Sequence, residues 1–121
     1  MQFTRKFEFD AAHALTESFG EKETQLHGHR YRIDITIESL VKNGMAANLN
    51  ELKKVVQTEV IDVLDHSNLN NHLNIPSAEN IALWTWGKLK DKLQGLVEIK
   101  VYETPNHWVT YRGGENTDDK G

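Results

Sequence analysis

Cysteine is absent from the 121-residue chain. That excludes disulfides, thiolate metal ligation and a thiol nucleophile. No apolar run approaches the roughly 20 residues of a membrane span, and the opening MQFTRKFEFD is too charged for the apolar core of a signal peptide. These absences predict a cytoplasmic protein with no membrane partner. Lysine/arginine clusters are missing too, and the net charge is -4. Nucleic acid would have to bind against that charge, so it is not an expected partner. What is present is ordinary: 38% hydrophobic and 26% charged residues, the balance of a globular chain. The length fits one domain that buries its own core.

Patterning predicts six main elements. Over 2–12, Phe3, Phe7, Phe9 and Ala11 take odd positions between polar residues, the mark of a half-buried strand, with Arg5 the exception on the odd face. Residues 14–26 have no clear period and read as a loop. Over 27–38, Tyr31, Ile33, Ile35 and Ile37 face one way, and Arg30, Arg32, Asp34, Thr36 and Glu38 the other. Lys42-Asn43-Gly44 is turn chemistry. Leu49, Leu52, Val56, Val60 and Val63 then recur at helical steps to about Leu64, with Asn48 or Asn50 as cap. After an asparagine-rich loop over 67–76, a second helix starts near Ser77, carries Ile81, Trp84, Leu89 and Leu93 on its apolar side, broadened by Trp86, and ends at Gly95. Val97, Ile99 and Val101 alternate in a third strand, Thr104-Pro105-Asn106 turns the chain, and His107 to Arg112 forms the last strand. The order ββααββ makes the class α+β. Residues 1–113 form the domain, and 114–121 read as a loose tail. Strand edges stay open in a monomer and would be closed by oligomerisation.

Three histidines stand out by parity. Strand side chains repeat every two residues, so His27 and His29 leave one face of the second strand about 6.6 Å apart along the backbone. Gly28 between them leaves the opposite face bare and lets the backbone flex. Both histidines continue the odd series of Tyr31, Ile33 and Ile35 to one end of the buried face, and His13 continues the odd series of the first strand. Three imidazoles at one place suit zinc, which in catalytic sites keeps three protein ligands and an open fourth position. A His-x-His pair also occurs on strands without metal; the third histidine of matching parity strengthens the metal reading.

Glu103 follows Val97, Ile99 and Val101 on the odd face. A buried carboxylate there needs hydrogen-bond donors, such as a ligand's N–H groups; alternatively the strand has ended and the group is solvated. Asp65-His66 closes the first helix. The aspartate can orient the imidazole for proton transfer, or the histidine simply suits a helix C-terminus. His72 and His107 read as surface residues.

Taken together, FEFDAAH, LHGHRYRIDI, GMAANLNELK, LDHSNLN, PSAENIALWTW and VYET make the chain resemble the 6-pyruvoyl-tetrahydropterin synthase family, which includes the 6-carboxytetrahydropterin synthases of queuosine biosynthesis. The resemblance runs from Phe3 to Gly113. It implies a T-fold whose trimers close a twelve-stranded barrel and stack into a homohexamer. It implies zinc on His13, His27 and His29, a pterin ring anchored by Glu103, and an Asp65–His66 proton relay reached across a subunit interface. The implied substrate is 7,8-dihydroneopterin triphosphate or a close dihydropterin, with zinc on its side-chain oxygens.

The chain departs from the family pattern at Asn48, where many members have aspartate, at Ala78, where serine is common, and above all at its base. Tetrahydropterin synthases of this type carry a catalytic cysteine shortly before HGH, and this chain has none. Glu23 stands four residues before His27, and Glu21 six before. A carboxylate can take the role of base if burial raises its reference pKa of about 4.3, and zinc would acidify the side chain it polarises. Members with glutamate near this point are associated with side-chain cleavage to 6-hydroxymethyl-dihydropterin for folate synthesis. A third outcome is an inert homologue that keeps zinc and pterin binding only.

Overall fold

Two long strands frame the sheet. The computed structural model describes residues 1–15 and 25–114. In it β1 (Gln2–His13) and β2 (His27–Glu38) pair antiparallel along their whole length, from Gln2 opposite Glu38 to His13 opposite His27. Their odd faces carry Phe7, Phe9, Ala11 and His13, and Tyr31, Ile33, Ile35 and Ile37, all buried. Arg5, the exception on that face, sets its guanidinium 5.2 Å from the centroid of the Phe7 ring. A short hairpin follows, β3 (Val41–Lys42) and β4 (Met45–Ala46), turning at Asn43 and Gly44, both with positive φ.

The first helical run starts as α1 (Leu49–Val56), widens into a π-helical turn (Gln57–Ile61) and closes with Asp62–Leu64. Asn48 holds the N-cap position, but only its carbonyl works there, accepting the Leu52 N–H at 3.0 Å. The short β5 (Ser67–Asn68) and a 3₁₀ turn (Leu69–Asn71) then occupy part of the expected loop. Ser77 caps α2 (Ala78–Leu89) by accepting the Asn80 N–H on its hydroxyl, 3.2 Å. β6 (Leu96–Thr104) pairs with β2, and β7 (His107–Tyr111) with β6. The five-stranded sheet runs β5-β1-β2-β6-β7, parallel only where β5 joins β1. Both helices lie on the odd face, where Leu52, Val56, Val60, Leu64, Ile81 and Leu89 share one core with the strands. Among the described residues, no helix is long and apolar enough to cross a membrane.

Two expectations are corrected, and one burial goes beyond the pattern. Val63 is 36% exposed, whereas Ile61 and Leu64 are buried. The π turn, marked by the Asp62 N–H on the Gln57 carbonyl, adds one residue and rotates the next turn, so the apolar stripe slips by one position. The second helix stops at Leu89, because the N–H groups of Lys92 and Leu93 both return to the Leu89 carbonyl. Gly95 serves the following turn instead: at φ 83 a Cβ would collide with the Glu38 carbonyl oxygen. Finally, Asp34 and Thr36 are buried although they face away from the helices. Both are satisfied there. Arg32 donates to both Asp34 oxygens at 2.8 and 2.7 Å, and the Thr36 and Thr4 hydroxyls lie 2.6 Å apart. The expected tail over 114–121 falls, apart from Gly114, outside the described residues.

Candidate metal centre

The β1–β2 register brings the histidines together. His13 sits opposite His27, and Ala11 opposite His29, so all three odd-face imidazoles gather at the end of the strand pair. Their ring centroids are 4.5, 5.0 and 4.8 Å apart. His13 Nε2 and His27 Nε2 approach to 3.0 Å. Glu103 arrives from β6, on the face of Ile99 and Val101, and its Oε1 lies 3.3 Å from His13 Nε2 and 3.1 Å from His29 Nε2. The four ligand atoms are all within 4.8 Å of one another.

Main-chain carbonyls set two of the tautomers. His13 Nδ1 is 2.7 Å from the Pro76 carbonyl oxygen, and His27 Nδ1 is 2.7 Å from that of Gln25. A carbonyl only accepts, so each Nδ1 carries the hydrogen and donates it. Each neutral ring is left with its lone pair on Nε2, and those two lone pairs face each other across 3.0 Å. The Tyr31 hydroxyl adds a further contact to His13 Nδ1 at 3.0 Å. Two facing acceptors beside a carboxylate repel unless a cation lies among them.

Protons feel the same field. Burial opposes charge on His13, but the hydrogen bonds to Glu103 and the Pro76 carbonyl outweigh it and raise its pKa. His29 is lowered, chiefly by burial and further by the neighbouring imidazoles, against the pull of Glu103. Glu103 is held below the ordinary carboxylate value, first by its hydrogen bond with His13, although burial works the other way. Burial, with the Glu103 charge, also raises Tyr31, which stays a neutral hydroxyl.

The donor set fits a metal. His29 Nε2 is buried and forms no hydrogen bond among the described residues, despite Glu103 Oε1 at 3.1 Å. An orphaned ring nitrogen is costly to bury, and a cation shared with Glu103, His13 and His27 would satisfy it. Imidazole nitrogens with a carboxylate oxygen suit zinc. Gly28 has no positive φ, and a Cβ there would meet nothing closer than the Ala11 carbonyl oxygen at 3.8 Å. Neither the backbone conformation nor the space at this position demands a glycine.

Asp65 and His66 form a separate group with Asp10. The Asp10 N–H donates to Asp65 Oδ1 at 3.0 Å, and the His66 N–H donates to the Asp10 carbonyl at 2.6 Å, which docks the pair on the outer edge of β1. Asp65 Oδ2 meets His66 Nδ1 at 3.0 Å. The Asp10 N–H is the main reason the Asp65 carboxyl titrates below its ordinary value, with His66 adding to it. His66 itself has φ 56 and is 79% exposed, so its ring stands in solvent on a left-handed turn with Asp65 as its partner. It lines an open depression of about 490 Å³ with Ala12, Gly28, His29 and Arg30.

The structure thus gathers His13, His27, His29 and Glu103, and sets Asp65 and His66 apart as an exposed pair. Glu23 and Glu21 lie outside the described residues. His72 and His107 are exposed, as expected. Sequence reasoning missed Tyr31 as a partner of His13, although its odd parity was visible, and missed Asp10, which nothing in the local pattern marks. The Pro76 and Gln25 carbonyls leave no side-chain signal at all.

Comparison with known proteins agrees with this architecture. The structure of 6-pyruvoyl tetrahydropterin synthase from Caenorhabditis elegans matches with a TM-score of 0.78 at 28% identity, covering 94% of this chain and 96% of that one. The chain is an α+β protein of the T-fold class. A family model described as 6-pyruvoyl tetrahydropterin synthase matches residues 2–114. A 6-pyruvoyl tetrahydrobiopterin synthase from Dictyostelium discoideum is 38% identical over 95 residues, 72% of this chain and 70% of that protein. A dihydroneopterin monophosphate aldolase from Pyrococcus furiosus is 40% identical over 92 residues, 76% of this chain and 77% of that protein. The chain belongs to the 6-pyruvoyl tetrahydropterin synthase family.

Proposed function

We propose that the protein is a zinc-dependent lyase that converts the side chain of 7,8-dihydroneopterin triphosphate or a close dihydropterin. The observation that carries this reading is the convergence of His13, His27 and His29 with Glu103 in a chain of this family. The three imidazoles hold the metal through Nε2. Zinc, when bound, supplies Lewis-acid polarisation of a side-chain oxygen. Glu103 binds the N–H groups of the pterin ring, a role its lowered pKa supports because it stays an acceptor. His66, oriented by Asp65, moves protons at an exposed site. Glu23 takes the place of the missing cysteine as base. Among the described residues the outer edges of β1 and β7 are covered at most by a two-residue strand, which suits closure into a homohexameric barrel whose active sites span subunit interfaces.

A second reading within the same chemistry is side-chain cleavage to a 6-hydroxymethyl pterin. The aldolase from Pyrococcus furiosus favours it, being as similar to this chain as the synthases are. One experiment separates the outcomes: the zinc-loaded protein is incubated with dihydroneopterin triphosphate and the products are weighed by mass spectrometry. Triphosphate loss with all carbons kept means a pyruvoyl product. Loss of two carbons as acetaldehyde means a carboxy product, and a hydroxymethyl pterin means cleavage. No turnover above the blank rejects the enzyme and leaves a zinc- and pterin-binding homologue.

A further inference from the structure

We infer that Glu103 is an exchangeable fourth ligand of the metal, which closes the histidine site in the pterin-free protein and leaves it when a pterin ring enters. The inference rests on the metal and pterin reading above and goes beyond it by giving one carboxylate two mutually exclusive partners.

Distances carry the first half. A tetrahedral ion with bonds of about 2.0–2.1 Å to nitrogen and oxygen has ligand–ligand edges of ~3.3 Å. Three edges of the cluster are 3.0 Å (His13 to His27), 3.3 Å (His13 to Glu103) and 3.1 Å (His29 to Glu103). Glu103 Oε1 therefore lies at ligand–ligand spacing from two of the three imidazoles, not at a ring-anchor position remote from them. Among the described residues His29 Nε2 has no hydrogen-bond partner, so a shared cation would account for the approach. Charge agrees: three neutral imidazoles leave a dication uncompensated, and one carboxylate halves its charge.

Backbone context carries the second half. Tyr102 pairs with Trp108 and Thr104 with His107, so Glu103 is the extra residue of a bulge in β6. Its pairing with β2 has also ended, the last pair being Arg32 with Tyr102. A bulge re-aims a side chain and frees it from the ladder. Glu103 can thus turn without breaking a strand pair, and its side chain is 28% exposed, within reach of an incoming ligand.

The test reads metal binding directly. Zinc affinity is measured by competition with a chromophoric chelator for the wild type, Glu103→Gln and Glu103→Asp. Both substitutions should weaken zinc at least ~10-fold, the scale already seen for groups that only support metal ligands. Glu103→Asp keeps the charge and withdraws the oxygen, so equal weakening identifies direct ligation rather than a field effect. Zinc affinity within twofold of wild type in both variants overturns the inference. In the cobalt-substituted wild type, saturating 7,8-dihydroneopterin should change the visible ligand-field spectrum, and an unchanged spectrum overturns the exchange without any variant. Pterin fluorescence keeps the two readings apart. Zinc-saturated Glu103→Gln that loses pterin but not zinc affinity overturns this inference and spares the ring anchor; the converse pattern leaves Glu103 a fixed ligand and overturns the exchange.

Discussion

Individual side chains carry most of the chemistry, and their roles separate by what they touch. His66 stands apart from the metal cluster, with Asp65 as its partner. His66→Gln should therefore lower turnover by about 10²–10⁴, the usual weight of a general acid or base, while zinc content stays at wild-type stoichiometry. Equal loss of zinc in that variant would place His66 in the metal site instead. The His13–Glu103 pair makes a pH prediction for the metal-stripped protein. Glu103 is depressed below its ordinary 4.5, so its stabilisation is complete above that value and fades as pH falls through the lowered pKa. His13 is raised above its ordinary 6.5, so its stabilisation is complete below that value and fades as pH rises through the raised pKa. Denaturant titrations with chelator present should show the wild type's advantage over Glu103→Gln as a plateau between 4.5 and 6.5, falling on both sides. A flat difference would show that the pair does not titrate with folding. Parity alone made the cluster legible: odd positions 13, 27, 29 and 103 on three strands of one sheet. Parity could not say that Glu103 bends toward the histidines, because that depends on the bulge.

Among the elements, the strands matched their pattern best. β2 begins and ends where alternation begins and ends, since a strand half covered by helices must alternate. The first helix shows where such reading stops. Leu52, Val56 and Val60 obey the 3.6 period, but the π turn after Val56 shifts the core contact from Val63 to Ile61 and Leu64. No residue type announces an i→i−5 bond, so the slip is invisible before tertiary packing selects it. Ile61→Ala should cost roughly 2–5 kcal/mol of unfolding free energy, and Val63→Ala no more than about 0.5 kcal/mol, by urea denaturation. The reverse order would restore an uninterrupted α-helix.

For the molecule as a whole, an ion at the histidine cluster would link metal binding to folding. β1, β2 and β6 each contribute to the cluster, so an ion bound there would tie together three strands and stabilise only the folded state. At free zinc 100-fold above its Kd, that stabilisation is about 2.7 kcal/mol, worth roughly 10 °C in Tm for a chain of this length. Calorimetry before and after chelation should show that drop, and His29→Gln should lie near the chelated value under both conditions. An unchanged Tm would mean that no ion couples to folding.

The rings of His13 and His27 are steadied by carbonyl oxygens of Pro76 and Gln25, groups that every amino acid possesses. Sequence drift at positions 76 and 25 therefore leaves the donated hydrogens with the same acceptors as long as the chain path holds. Lineages that diverge at both sites would keep the imidazoles poised alike, and covariation between side chains would never reveal the support.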